Sequence, residues 1–124
     1  MRILKPTFER SDKRGLFVEI LNGIKLKNLS YGAMKKGAVM GNHYHKKTKV
    51  VFFLTGGLAK VDLLDVETGA TETVTIEKNE GIELPSGNSH AIRFLENSSF
   101  IMGKSEKYDS ENPDTYELTV PEVK

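Results

Sequence analysis

Hydrophobic residues in this chain come in short runs, and most runs alternate with polar ones. Ala59, Val61 and Leu63 fall on one side of such a run, and Lys60, Asp62 and Leu64 on the other. Thr71, Thr73 and Thr75 alternate with Glu72, Val74 and Ile76, and Leu26 alternates with Lys25 and Lys27. A period of two predicts β-strands, because successive side chains of an extended chain point to opposite faces. Val50-Val51-Phe52-Phe53-Leu54 is apolar throughout, and it is too short for a helix. It predicts a strand buried on both faces.

Turn signals separate the runs: Asn22-Gly23, Gly56-Gly57, Thr68-Gly69, Asn79-Glu80-Gly81, Pro85-Ser86-Gly87-Asn88 and Glu96-Asn97-Ser98. Glycine and asparagine supply the positive φ that tight turns need. Many short strands with frequent turns predict an all-β antiparallel sandwich or barrel with little or no helix. From Tyr108 to Lys124 the alternation stops, and Asn112-Pro113 and Pro121 predict an extended or irregular tail. No linker, repeat or low-complexity tract interrupts the 124 residues, so one domain is expected over 1–124.

Composition narrows the chemistry. Cysteine is absent, which excludes disulfides, thiolate nucleophiles and Cys-ligated zinc. No apolar run approaches the roughly 20 residues of a membrane span. The opening Met1-Arg2-Ile3-Leu4-Lys5-Pro6 lacks a signal-peptide core, so a cytoplasmic location is expected. The 18 basic and 17 acidic residues leave a net charge of +1, which counts against nucleic acid as a partner. The total conceals a division: residues 1–60 hold 13 Lys and Arg against 3 acids, and residues 61–124 hold 5 against 14. No acid lies between Glu19 and Asp62. The basic half therefore needs a partner within the chain, across a subunit interface or in a ligand.

The three histidines are His43, His45 and His90. His43 and His45 stand two apart, so on a strand they face one side together. Imidazole is the commonest metal ligand and the side chain best suited to proton transfer near neutral pH.

The text around the histidines resembles the cupin superfamily. Gly37-Ala38-Val39-Met40-Gly41-Asn42-His43-Tyr44-His45 is similar to the opening of the first cupin motif, and Gly56-Gly57 to its close. Gly81 to His90, with Pro85-Ser86-Gly87-Asn88-Ser89-His90, is similar to the second motif with a shorter first gap. The resemblance implies a single-domain cupin barrel (a double-stranded β-helix or jelly roll) that forms a homodimer.

Within the cupins the chain resembles three groups that act on sugar nucleotides. Gly41-Asn42-His43-Tyr44-His45-Lys46-Lys47 is similar to a stretch of the dTDP-sugar 3,4-ketoisomerases. Asp12-Lys13-Arg14-Gly15-Leu16-Phe17-Val18-Glu19 is similar to the opening of the dTDP-4-dehydrorhamnose 3,5-epimerases. Tyr108 to Tyr116, with Asn112-Pro113-Asp114-Thr115-Tyr116, is similar to the end of the cupin domain of bifunctional capsular-polysaccharide epimerase/reductases. A chain of this length would be a free-standing version of that domain.

These resemblances imply an epimerase or ketoisomerase of a nucleoside-diphosphate 4-keto-hexose in surface-polysaccharide synthesis. They put a general base on His43, with His45 as its partner or a second base, and they imply a phenol as the acid. Tyr44, Tyr108 and Tyr116 are candidates, although Tyr44 alternates with the histidines and should face away from them. Arg14, Lys35, Lys36, Lys46, Lys47 and His90 are the expected substrate contacts, the lysines as point charges for phosphates.

The sequence departs from the resemblance at two places. The usual cupin glutamate position falls at Lys49 or Val50, and Met40 stands where two of the groups place an arginine. The isomerase reading requires no cofactor. His43, His45 and His90 can still ligate a divalent metal (zinc, nickel, manganese or iron), with Glu83 as a weak substitute fourth ligand. Two alternatives stay open: a non-catalytic sugar-binding cupin, and a metal-dependent cupin oxygenase or isomerase on another small molecule.

Overall fold

A computed structural model of the chain describes residues 3–124, so Met1 and Arg2 of the opening segment lie outside the described residues. Every regular element among them is a strand, in the order β1 Ile3–Leu4, β2 Phe8–Asp12, β3 Gly15–Glu19, β4 Asn28–Met34, β5 Val39–Tyr44 and β6 Val50–Gly56. β7 Leu58–Asp65, β8 Thr71–Glu77, β9 Glu80–Leu84, β10 Asn88–Phe94, β11 Ser98–Lys104 and β12 Tyr116–Glu117 follow. One sheet runs β1-β9-β6-β11-β4, a second runs β12-β5-β10-β7-β8, and β2-β3 forms a separate hairpin. All pairs are antiparallel. No helix among the described residues is long and apolar enough to cross a membrane.

The two large sheets enclose the core between them. Val50, Phe52 and Leu54 of β6, Ile82 and Leu84 of β9 and Phe100 of β11 come from one sheet. Ala59, Val61 and Leu63 of β7, Ile76 of β8, and Ile92 and Phe94 of β10 come from the other. The period-two pattern thus places these residues as expected. Phe52 lies 5.0 Å from Phe100 and 6.3 Å from Phe94 between ring centroids, within the range of favourable aromatic packing.

β6 is buried on both faces, and its outer cover comes from the N-terminal part of the chain. Val51 and Phe53 face out beneath Val18, Ile20, Leu21 and Leu26. The alternation of Leu26 with Lys25 and Lys27 does not make a strand; these residues form an irregular connection between β3 and β4. Leu26 packs so closely on Gly103 that a Cβ there would overlap it. The contact of Leu26 with Gly103 and a single backbone bond, from the Lys27 amide to the Lys104 carbonyl at 2.9 Å, hold this segment in place without a strand ladder.

The tail covers the outer face of the second sheet. Asp62, on the side of β7 away from the core, is 0% exposed. It accepts from Arg93 Nε at 2.9 Å and from the Val123 amide at 3.4 Å. Arg93 also donates to the Val120 carbonyl at 2.9 Å, and the Lys60 ammonium donates to the Val123 carbonyl and pairs with Glu122 at 3.5 Å. A buried carboxylate is tolerated only when it is paired in this way. The tail is otherwise irregular, as expected, apart from β12 on the edge of β5.

Candidate active site

A bulge in β5 builds the site. β5 and β10 pair with a shift in register: Ala91 faces Gly41, but His90 faces His43, so Asn42 is an extra residue. Gly41 has φ 104° and Asn42 φ 58°, values that glycine and asparagine accept most readily. A Cβ on Gly41 would run into the His90 carbonyl oxygen. The extra residue changes the phase of the strand. Met40 packs against the core, and after the bulge His43 and His45 also face inward. Asn42 turns toward the tail, where its carbonyl accepts from the Leu118 amide at 3.0 Å and its Oδ1 from the Val120 amide at 3.0 Å.

His90 enters from β10, beside Leu63 and one inward position before Ile92. The ring centroids of His43 and His90 lie 4.6 Å apart, those of His43 and His45 5.2 Å, and those of His45 and His90 5.8 Å. One ligand atom from each ring lies within 4.8 Å of the others. His90 is 4% exposed, and its Nδ1 is buried without a hydrogen-bond partner.

Burial, followed by His43, His45 and Lys104, pushes the His90 pKa down to about 3, against a weak opposing pull from the Asn88 backbone. His43 is also held below its usual 6.5, by burial first and then by His45 and Lys104. Both rings are therefore neutral at pH 7.

The tail defines the state of His45. Nδ1 lies 2.5 Å from the Asp114 carbonyl oxygen, and since a carbonyl only accepts, Nδ1 carries the proton. Nε2 is then the basic nitrogen. The Asp114 carboxylate accepts from the amides of Lys46, Lys47 and Thr48 at 2.8, 2.9 and 2.7 Å and from the Thr48 hydroxyl at 2.9 Å. Desolvation acts to raise its pKa, but these hydrogen bonds outweigh it and hold the pKa down to about 2.

A cavity of about 330 Å³ opens beside His45, between the Lys46–Thr48 loop and the tail. Lys47, Lys104, Lys107, Tyr108 and Tyr116 are among its walls. Tyr44 is not; it stacks on Tyr116 at 5.3 Å, on the face away from the histidines. Lys46 lies over the Tyr116 ring at 4.2 Å, and Lys47 pairs with Glu106 at 3.3 Å.

The remaining expected residues are not brought to this place. Lys35 and Lys36 occupy the turn before β5, at its far end, tied to the close of β10 by the bonds Gly37 N to Phe94 O and Lys36 N to Asn97 Oδ1. The length of β5 separates them from His43 by roughly 15–20 Å at the rise of a strand. Arg14 is exposed in the β2-β3 turn, paired with Asp12 at 2.8 Å. Glu83 alternates with the core residues Ile82 and Leu84, so it faces outward, away from the histidine trio. Lys49 is exposed and Val50 lies in the core, so neither replaces the cupin glutamate.

Sequence reasoning missed Asn42, Lys104 and Asp114. Gly41-Asn42 carried a signal, being two residues that favour positive φ immediately before His43. For Asp114 and Lys104 no local signal exists, since each reaches the site only through long-range pairing.

Two facing antiparallel sheets, with His-x-His at the end of one strand and a third histidine on its neighbour, define a cupin. More narrowly, residues 10–116 match the polysaccharide biosynthesis C-terminal domain family, and the chain belongs to it. A UDP-2-acetamido-2,6-beta-L-arabino-hexul-4-ose reductase from Pseudomonas aeruginosa is 32% identical over 116 residues, covering 90% of this chain and 31% of the relative. The chain therefore spans about a third of the length of that curated relative. The capsular polysaccharide assembling protein CapF from Staphylococcus aureus superposes with a TM-score of 0.73 at 27% identity, over 91% of this chain and 32% of that one. A 3,4-ketoisomerase from Helicobacter canadensis shares the fold, with a TM-score of 0.77 at 19% identity over 92% of this chain and 87% of that one.

Proposed function

We propose that this chain is a sugar-nucleotide epimerase or ketoisomerase acting on a nucleoside-diphosphate 4-keto-hexose in surface-polysaccharide synthesis. The observation that carries the reading is the inward-facing histidine trio, in which burial keeps His43 and His90 neutral and His45 lines a cavity with basic and phenolic walls. The family's tie to polysaccharide biosynthesis and the names of the relatives support the substrate class.

A keto group acidifies the hydrogen on the neighbouring carbon. His43 takes that proton, the C–H electron pair moves into a carbon–carbon double bond, and the carbonyl oxygen becomes an enolate. Return of a proton to the other face gives an epimer; its return at a different carbon gives an isomeric ketose. A positioned base of this kind supplies roughly 10²–10⁴ in rate. Tyr108 and Tyr116 stand at the cavity wall as proton donors, while Lys47 on that wall, with Lys46 nearby over the Tyr116 ring, suits a diphosphate. A cytoplasmic location and a homodimer belong to the same proposal.

The residues fit a divalent metal only in part. Three imidazoles at this spacing match a three-histidine site. The carboxylate is missing, however, and the Lys104 ammonium adds like charge. No step above is routed through a metal.

The test is solvent exchange. Wild-type protein in D₂O should incorporate deuterium next to the carbonyl of a 4-keto-6-deoxy nucleotide sugar, and His43→Ala should abolish it while keeping the fold. Binding without exchange would favour the sugar-binding alternative; absence of both would overturn the substrate class.

A further inference from the structure

The histidine trio shares its space with a cation that no sequence motif marks. β11 pairs with β6 so that Phe100 meets Leu54, Met102 meets Phe52 and Lys104 meets Val50. All three β6 partners lie in the core, and Phe100 and Met102 pack with them. Lys104 is the next position on the same face, so its stem enters the barrel interior where the apolar packing ends. It comes from one sheet and His43 and His90 from the other, yet its charge is felt by both imidazoles. It also lines the cavity beside His45.

No acid answers this charge. Glu106 pairs with Lys47, and Asp114 is occupied by the amides of Lys46, Lys47 and Thr48. Among the described residues no carboxylate forms an ion pair with Lys104. The Lys104 ammonium thus stands near His43 and His90 and on the cavity wall with no carboxylate paired to it, a place open to an anionic or electron-rich oxygen of a ligand.

We propose that Lys104 is a catalytic residue, whose ammonium binds the keto oxygen of the sugar and stabilises the negative charge that grows there as the neighbouring proton leaves. The proposal rests on the sugar-nucleotide reading above. The C–H bond breaks, its proton goes to His43, and its electron pair ends on the oxygen paired with Lys104. Reprotonation at carbon reverses the charge movement, so nothing is oxidised or reduced. A cation placed beside the reacting atoms is suited to this task, because it meets the charge where it appears. The same charge disfavours a divalent cation among the three imidazoles, so the lysine supplies the electrostatic help that the incomplete ligand set does not.

Lys104→Met, Lys104→Gln and Lys104→Arg test the assignment in the deuterium-exchange assay, beside zinc titration of each purified protein. The Met and Gln variants should lose roughly 10²–10³ in kcat for exchange with KM changed only a few-fold. The Arg variant should recover part of the loss. The Met variant should also bind zinc at least about tenfold more tightly, since a like charge has gone. If wild type exchanges and the Met and Gln variants match it, or lose only KM, Lys104 has no role at the reacting atoms and the epimerase reading survives. Unchanged zinc affinity would remove the electrostatic argument. No exchange by wild type would sink the sugar-nucleotide reading itself, and this proposal with it.

Discussion

At the scale of single residues, the site depends on keeping imidazoles neutral. Removing two of them from water and facing them with Lys104 disfavours the protonated form, so His43 sits below 6.5 and His90 at about 3. The sign follows for both activity and stability. A base with a lowered pKa stays unprotonated to lower pH, so the acid limb of kcat/KM should fall below 6.5. The unfolded chain takes up a proton on His90 near 6.5 and the folded chain only near 3, so the contribution to stability is full above 6.5 and lost as pH falls toward 3. A pH–rate profile and thermal melts between pH 7 and pH 4 would check both. An acid limb above 6.5, or melts that do not fall across that range, would contradict burial that keeps His43 and His90 neutral.

At the scale of elements, straight strands were legible and departures from straightness were not. The runs at 50–54, 59–64 and 71–76 place their side chains as the alternation requires, because each lies in an unbroken ladder. The bulge at Asn42 breaks that logic: Met40 and His43 both face inward although an odd number separates them. His-x-His was readable since it lies beyond the bulge. Asp62 shows the other limit, for alternation put it outward and only the tail's return buries it. The tail has no period of its own because its hydrogen bonds join it to other elements: the Leu118 amide donates to Asn42, Ser89 donates to the Leu118 carbonyl, and the Lys46–Thr48 amides donate to Asp114. Asp114→Ala should therefore cost about 1–3 kcal/mol by leaving amides unpaired. Release of the tail should also draw the residue 114 carbonyl away from His45 Nδ1, a change that ¹⁵N shifts of the ring would register. The anchor should hold above pH 4 and weaken as pH falls toward 2, where the lowered pKa of Asp114 lies. Unchanged melting and an unchanged His45 tautomer would show that the tail merely lies on the sheet.

At the scale of the molecule, the charge division of the sequence largely dissolves. Ion pairs join the halves: Lys5 with Glu80, Lys47 with Glu106 and Lys60 with Glu122. Asp114 meanwhile answers the amides of the basic Lys46–Thr48 loop. What a single chain leaves uncovered is apolar. Tyr31 is 88% exposed and Leu29 73% exposed on β4, an edge strand with a free backbone side. Phe8, Leu16 and Phe17 are exposed on the β2-β3 hairpin, which joins neither large sheet. Monomeric proteins rarely present so much apolar surface, and free strand edges invite pairing. The proposed homodimer gives both features a use, since a two-fold axis lets surfaces of one chain meet the same surfaces of another. Light scattering on the purified chain should give twice the 13.9 kDa of one copy. Replacing Leu29 and Tyr31 together by lysine should yield a folded monomer, because neither side chain contributes to the core. A wild-type mass of one chain at every concentration tested would leave these surfaces without that partner, and the site would have to act within a single barrel.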